Sequence, residues 1–117
     1  MSTKSPECWG DNPQARGLRI ELAPGHTLTL PFSHFVLSEL TTDDKEQHLR
    51  FVFATHEVLI HGHSLRRIDM AMQRLELGFI AKTANSKRGV EETQPVVCEI
   101  IVRAFNLSER QPDSLNP

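Results

Sequence analysis

The first part of the chain alternates apolar and polar residues, which is the pattern of half-buried β-strands. Residues 18–22 alternate strictly, Pro24 and Gly25 mark a turn, and Leu28 and Leu30 resume the alternation after it. Two alternating segments separated by a turn signal typically pair with each other. The pattern therefore predicts a β-hairpin over residues 18–32.

The middle of the chain is also strand-like, with one ambiguous segment. Residues 33–40 fit either a short helix or a strand buried on both faces, and we favour a strand because a polar stretch follows it. Residues 49–53 and 57–61 carry the β-branched and aromatic residues typical of strands. We predict that they form a hairpin, since one unbroken strand of this length is unusual in a small domain.

A helical period replaces the alternation after Gly62 and predicts an amphipathic helix over about 64–77. Ser64 is a suitable N-cap, and Gly78 is a suitable residue for the position just after the helix. The apolar positions fall in one narrow arc at 100° per residue, which predicts the buried face of the helix. These positions are Leu65, Ile68, Met72, Leu75 and Phe79.

Four apolar residues lie outside these buried faces and predict a surface for self-association. Met70 and Leu77 fall on the far side of the predicted helix. The last strand, 95–105, has an uninterrupted apolar face at its even positions, and it carries Ile101 and Phe105 on the other face. A two-fold dimer that pairs exposed strands or helices would bury all four side chains.

These elements predict an α+β fold. We expect a bent, mainly antiparallel sheet of five to seven strands, forming a roll or partly open barrel, packed on one amphipathic helix. The body spans residues 18–106 as a single domain. The polar residues 1–17, with two prolines and two glycines, predict a flexible leader, and residues 107–117 predict a polar tail.

Composition narrows the classes of protein without selecting a function. The 117 residues carry a formal net charge of −2, which gives no overall attraction to nucleic acid or to anionic membranes. No run of 18 apolar residues predicts a membrane span, and the N-terminus lacks the apolar stretch of a secretory signal. We therefore expect a cytoplasmic protein with reduced thiols, in which Cys8 lies in the leader and Cys98 in the core.

Three histidines near the predicted strand–helix junction are candidate metal ligands. His61 and His63 are two residues apart, so on a strand their side chains project from one face and can share an ion. His56 is the third candidate, and His48 or Glu57 could approach if the two strands pair closely. The His61-x-His63 pair is similar to the opening of cupin metal motifs, but the glutamate that follows in those motifs is replaced here by Arg67 or Ile68.

Other chemistry has little support in the sequence. There is no GxSxG elbow and no glycine-rich phosphate loop, so we do not expect an enzyme. Basic residues at 66–67, 82 and 87–88 would suit RNA binding by a small barrel, which is the third hypothesis. Acidic residues interrupt the helix face, so a nucleic-acid partner is not expected. The leading hypothesis is a non-enzymatic, self-associating interaction module without a cofactor. The alternative is a domain that binds a divalent metal ion or small ligand through His56, His61 and His63.

Overall fold

The computed structural model describes residues 8–83 and 94–105. In this part of the chain, eight strands form two mainly antiparallel sheets with one helix, which confirms the predicted α+β class; the sheets do not close into a barrel. The elements are β1 (Trp9–Asp11), β2 (Gly17–Ala23), β3 (His26–Pro31), a 3₁₀ turn (Phe32–His34), β4 (Phe35–Asp43), β5 (Glu46–Phe53), β6 (His56–His63), α1 (Arg66–Gln73), β7 (Leu77–Ile80) and β8 (Val96–Ala104).

The long sheet has the strand order β4-β5-β6-β8, and all its pairs are antiparallel. The ambiguous segment 33–40 is a strand from Phe35 onward, as predicted, whereas residues 33 and 34 belong to the 3₁₀ turn. The expected burial on both faces is wrong, because Val36 and Leu37 are exposed. Strands β5 and β6 form the predicted hairpin, joined by Ala54 and Thr55. This hairpin is the centre of the long sheet.

The short sheet has the order β1-β7-β2-β3 and contains two strands that the sequence did not predict. The β2–β3 hairpin is as predicted. Strand β1 lies within the predicted leader and pairs with β7, and β7 also pairs in parallel with β2. Because β1 and β7 have three and four residues, their alternation is too short to recognise without the pairing.

The helix is shorter at both ends than predicted. Its N-cap is Leu65 rather than Ser64, and the Leu65 N–H donates to the side-chain oxygen of Gln47 at 2.6 Å. It ends at Gln73, and Leu75 has a φ of +57°, a left-handed conformation that the sequence led us to expect only at Gly78. The chain reverses at Leu75, so this side chain is exposed rather than part of the buried stripe.

This early end of the helix overturns one predicted interface residue. Leu77 is the first residue of β7 and is fully buried. It is therefore part of the core and not of a second helix face. The core contains residues from both sheets and from α1, and its largest fully buried side chains are Leu18, Ile20, Leu49, Phe51, Phe53, Val58, Ile60, Leu65, Ile68, Met72, Leu77 and Ile80.

The two cysteines exchange the environments expected for them. Cys8 is buried, and its thiol lies 3.5 Å from the Pro95 carbonyl. Cys98 is exposed, because β8 has an irregularity where His61 pairs with Glu99 but Gly62 pairs with Val97. The extra residue reverses the alternation of buried and exposed positions along β8. Val97, just before Cys98, is therefore buried, whereas after Cys98 the residues that pack against the core are Ile100 and Val102.

Among the described residues, no helix has the length and apolar character needed to span a membrane.

Candidate metal centre

Two adjacent strands of the long sheet place polar side chains on the same surface. Residues two apart on a strand project from the same face, so Glu46 and His48 share a face of β5, and His61 and His63 share a face of β6. His48 pairs directly with His61 in the antiparallel register. All four side chains lie on the face that points away from the core, which we call the outer face.

Three of these side chains converge. The His61 Nε2–H donates to the Glu46 Oε1 at 2.9 Å. The rings of His48 and His61 stack with their centroids 4.7 Å apart and an angle of 16° between their planes. One ligand atom from each of Glu46, His48 and His61 lies within 4.8 Å of the other two. We call these three residues the His/Glu cluster.

The electrostatics of the cluster centre on Glu46. The hydrogen bond from His61, and then the positive charge of that imidazole, lower the pKa of the Glu46 carboxyl below its usual value. Smaller effects of the same sign on this pKa come from His63 and His48. The carboxylate is therefore held in its charged form, which is the form that binds a cation.

His63 lies beside the cluster and is tied to the turn that precedes Glu46. Its Nδ1–H donates to the Lys45 carbonyl at 3.0 Å. A histidine with this tautomer presents its Nε2 lone pair to the surroundings. His63 is nevertheless outside the group of three whose ligand atoms lie within 4.8 Å of one another, and its hydrogen bond is to the residue that precedes Glu46.

The structure does not bring the third predicted ligand, His56, to this site. His56 is at the opposite end of β6, paired with Ala104. It is five positions from His61, and this odd spacing places the two side chains on opposite faces of the strand. The His56 Nδ1 shares a hydrogen bond of 2.7 Å with the Thr55 hydroxyl.

Glu46 was not among the candidate ligands identified in the sequence. It is two residues before His48, which is the spacing of side chains on one face of a strand. The sequence does not show that this face lies beside His61, because that depends on the register of β5 on β6.

An open groove of about 340 Å³ adjoins the cluster on the outer face. Its apolar lining includes Leu59 and Ile101, which pair with each other across β6 and β8. His48 and His61 line one part of the groove, and Glu39, Arg50 and Glu99 are among its polar residues.

A chain of ion pairs crosses the outer face beside this groove. Arg50 lies 3.5 Å from a carboxylate oxygen of Glu39 and 3.5 Å from one of Glu57. The other oxygen of Glu57 lies 3.5 Å from Arg103. Arg50 is therefore shared between two glutamates, and its charge is already balanced within the sheet.

The remaining predicted surface residues are scattered. Met70 and Ile101 are both exposed, but Met70 is on α1, which packs on the core side of the long sheet, and Ile101 is on the outer face. Phe105 is half-buried, and its N–H donates to the Thr55 carbonyl. Of the basic residues, Arg66, Arg67 and Lys82 are exposed, whereas residues 87 and 88 lie outside the described residues.

Comparisons of the chain with protein-family models, with curated proteins and with solved structures found no match in any of the three. The interpretation of the His/Glu cluster therefore depends on its geometry.

Proposed function

We propose that this domain binds a divalent transition-metal ion, such as Zn²⁺, through Glu46, His48 and His61. The observation that carries the proposal is the approach of one carboxylate oxygen and two imidazole nitrogens to within 4.8 Å of one another. Two histidines and one glutamate are an established ligand set for zinc, and imidazole nitrogen also suits copper and nickel.

The scaffold supports this proposal because the ligands come from paired strands rather than from independent loops. Glu46 and His48 are on β5, and His61 is directly opposite His48 on β6. Ligands held by a hydrogen-bonded hairpin need little rearrangement to close around an ion. To coordinate the ion, His61 would have to present its Nε2 lone pair, so the proton that Nε2 now donates to Glu46 would move to Nδ1 or leave to solvent.

The test is metal binding by protein that carries no histidine tag and has been treated with a chelator. Isothermal titration with ZnCl₂ is expected to show one equivalent bound, and the melting temperature is expected to rise with zinc concentration. His48→Ala and His61→Ala should each reduce the affinity at least tenfold. His26→Ala is the matched control, since His26 is an exposed strand histidine on the short sheet.

A result that would overturn the proposal is zinc binding of unchanged affinity in the His48→Ala, His61→Ala double variant. Absence of binding to the parent protein would overturn it equally. Circular dichroism of each variant separates loss of the ligand from loss of the fold.

Self-association is the second candidate function, and the position of β8 favours it. Within the described residues β8 is at one end of the long sheet, with Ile101 exposed on its outer face. An edge strand of nine residues can pair with the same strand of a second copy. Such a dimer would place the two copies of Ile101 near each other, whereas Met70 would remain outside the interface.

Light scattering over a concentration series tests this candidate. The parent protein is expected to have the mass of a dimer. Ile101→Asp should weaken the dimer more than Met70→Asp does, so that it dissociates at a higher protein concentration. A monomer at high micromolar concentration would eliminate it, and equal effects of the two substitutions would remove β8 from the interface.

A further inference from the structure

The metal ion proposed above would have three protein ligands, all on an exposed surface, and would therefore keep a coordination position open to solvent. The groove on the outer face begins at two of those ligands, His48 and His61. A small molecule bound to the open position would therefore extend over the groove. The chemistry of the groove residues then restricts what that molecule can be.

The body of the molecule has to be apolar. Leu59 and Ile101 pair directly across β6 and β8, and they form an apolar area next to His61, with Arg50 paired to Leu59 on the other side. Ile101 is 42% exposed, so it has surface left to cover. The groove volume of about 340 Å³ is at the small end of the range for ligand sites, which suits a molecule of one or two rings.

The metal-binding atom of the molecule has to be uncharged. Glu46 supplies one negative charge to the ion, and Glu99, which pairs with His61 but is outside the group of three ligands, adds a second negative charge to the lining of the groove. Together the two carboxylates carry the charge that offsets a divalent ion. Arg50 offers no compensation for an added anion, because it is already shared by Glu39 and Glu57. A carboxylate ligand would therefore be repelled, and a cationic amine would be repelled by the metal ion itself.

From these observations we infer that the groove takes a small molecule with a neutral aromatic nitrogen donor, of the imidazole or pyridine type, joined to an apolar group. The nitrogen completes the coordination of the metal ion, and the apolar group covers Leu59 and Ile101. This inference rests on the proposed metal binding. Imidazole-type nitrogen is also the donor that zinc, nickel and copper share as a preferred ligand.

The experiment uses the zinc-loaded full chain and three probes: 4-phenylimidazole, imidazole and phenylacetate. Titration calorimetry is expected to show that 4-phenylimidazole binds at least tenfold more tightly than imidazole and at least tenfold more tightly than phenylacetate. Ile101→Ser should abolish the preference for the phenyl group without changing the zinc affinity. Met70→Ser is the matched control, because Met70 is also 42% exposed but lies outside the groove.

The outcomes separate the two proposals. If zinc binds but imidazole and 4-phenylimidazole bind equally, or phenylacetate binds as tightly as the heterocycle, the inference about the groove is wrong and metal binding stands. If Ile101→Ser and Met70→Ser reduce the phenyl preference equally, the groove is not the binding site. If zinc itself does not bind, both the proposed function and this inference fail.

Discussion

Gly62 lies directly against the main chain of Val96. A β-carbon at position 62 would collide with the Val96 carbonyl oxygen and would crowd the Cα of Val97 as well. This close approach occurs where the register of β6 on β8 shifts. Gly62 is thus not the end of the strand, although the helical period of the sequence begins directly after it. It is a buried strand residue between His61 and His63.

We expect Gly62→Ala to destabilise the fold strongly, because the atoms that must move are backbone atoms of β8. The free energy of unfolding should fall by about 3 kcal/mol or more. Urea unfolding measures the change. Gly10→Ala is the matched control, since Gly10 is also a strand glycine but has open space around its β-carbon position. Equal effects of the two substitutions would contradict the close approach of Gly62 to β8.

Leu77→Ala tests whether Leu77 belongs to the core or to a surface. Because this side chain is fully buried, its truncation should lower the free energy of unfolding by about 2–5 kcal/mol. Met70→Ala removes an exposed side chain of α1 and should change it by no more than about 0.5 kcal/mol. Thermal and urea unfolding of the two variants provide the comparison. A small effect at Leu77 would return this residue to the predicted interface and contradict the early end of the helix.

The pKa of Glu46 provides a test of the His/Glu cluster without any metal. The hydrogen bond from His61 is the main reason why the Glu46 pKa is lowered, so His61→Ala should raise the pKa of the Glu46 carboxyl toward its usual value. A lowered pKa means that the folded state gains stability from this group above its ordinary pKa and loses this contribution as the pH falls through the lowered pKa. Carbon-detected NMR titration measures the Glu46 pKa in the parent protein and in His61→Ala, and His26→Ala is the control. An unchanged Glu46 pKa in His61→Ala would show that the two side chains do not interact in solution.

The two thiols should differ in reactivity. Cys98 is exposed and Cys8 is buried, so a thiol reagent such as dithionitrobenzoate should modify one thiol quickly in the folded protein and both after denaturation. Cys98→Ser should remove the fast reaction, and Cys8→Ser should leave it in place. The opposite assignment would support a buried Cys98 and an exposed leader, as the sequence alone suggested.

The candidate site shows how far pattern reasoning extends. The spacing of His61 and His63 predicts correctly that they share a face, because alternation is a local property of any strand. Alternation along one strand does not show which side chains of other strands lie next to His61. His56 is closer to His61 in the sequence than either Glu46 or His48 is, yet its side chain leaves the opposite face of β6. Only the pairing of β5 with β6 brings Glu46 and His48 to His61.

By itself, the sequence determined the strand segments of β2 to β6 and the buried side of α1, because these follow from periods of two and 3.6 residues within short stretches of chain. Only the tertiary structure shows where the helix ends, since Leu77–Ile80 pairs with β1 and β2 instead of continuing α1. It also decided the environment of Cys98 and the close fit of Gly62, because one extra residue in β8 reverses which side chains face the core. The His/Glu cluster belongs to this second group: its residue types are in the sequence, but a register shift of one residue would turn them to different faces.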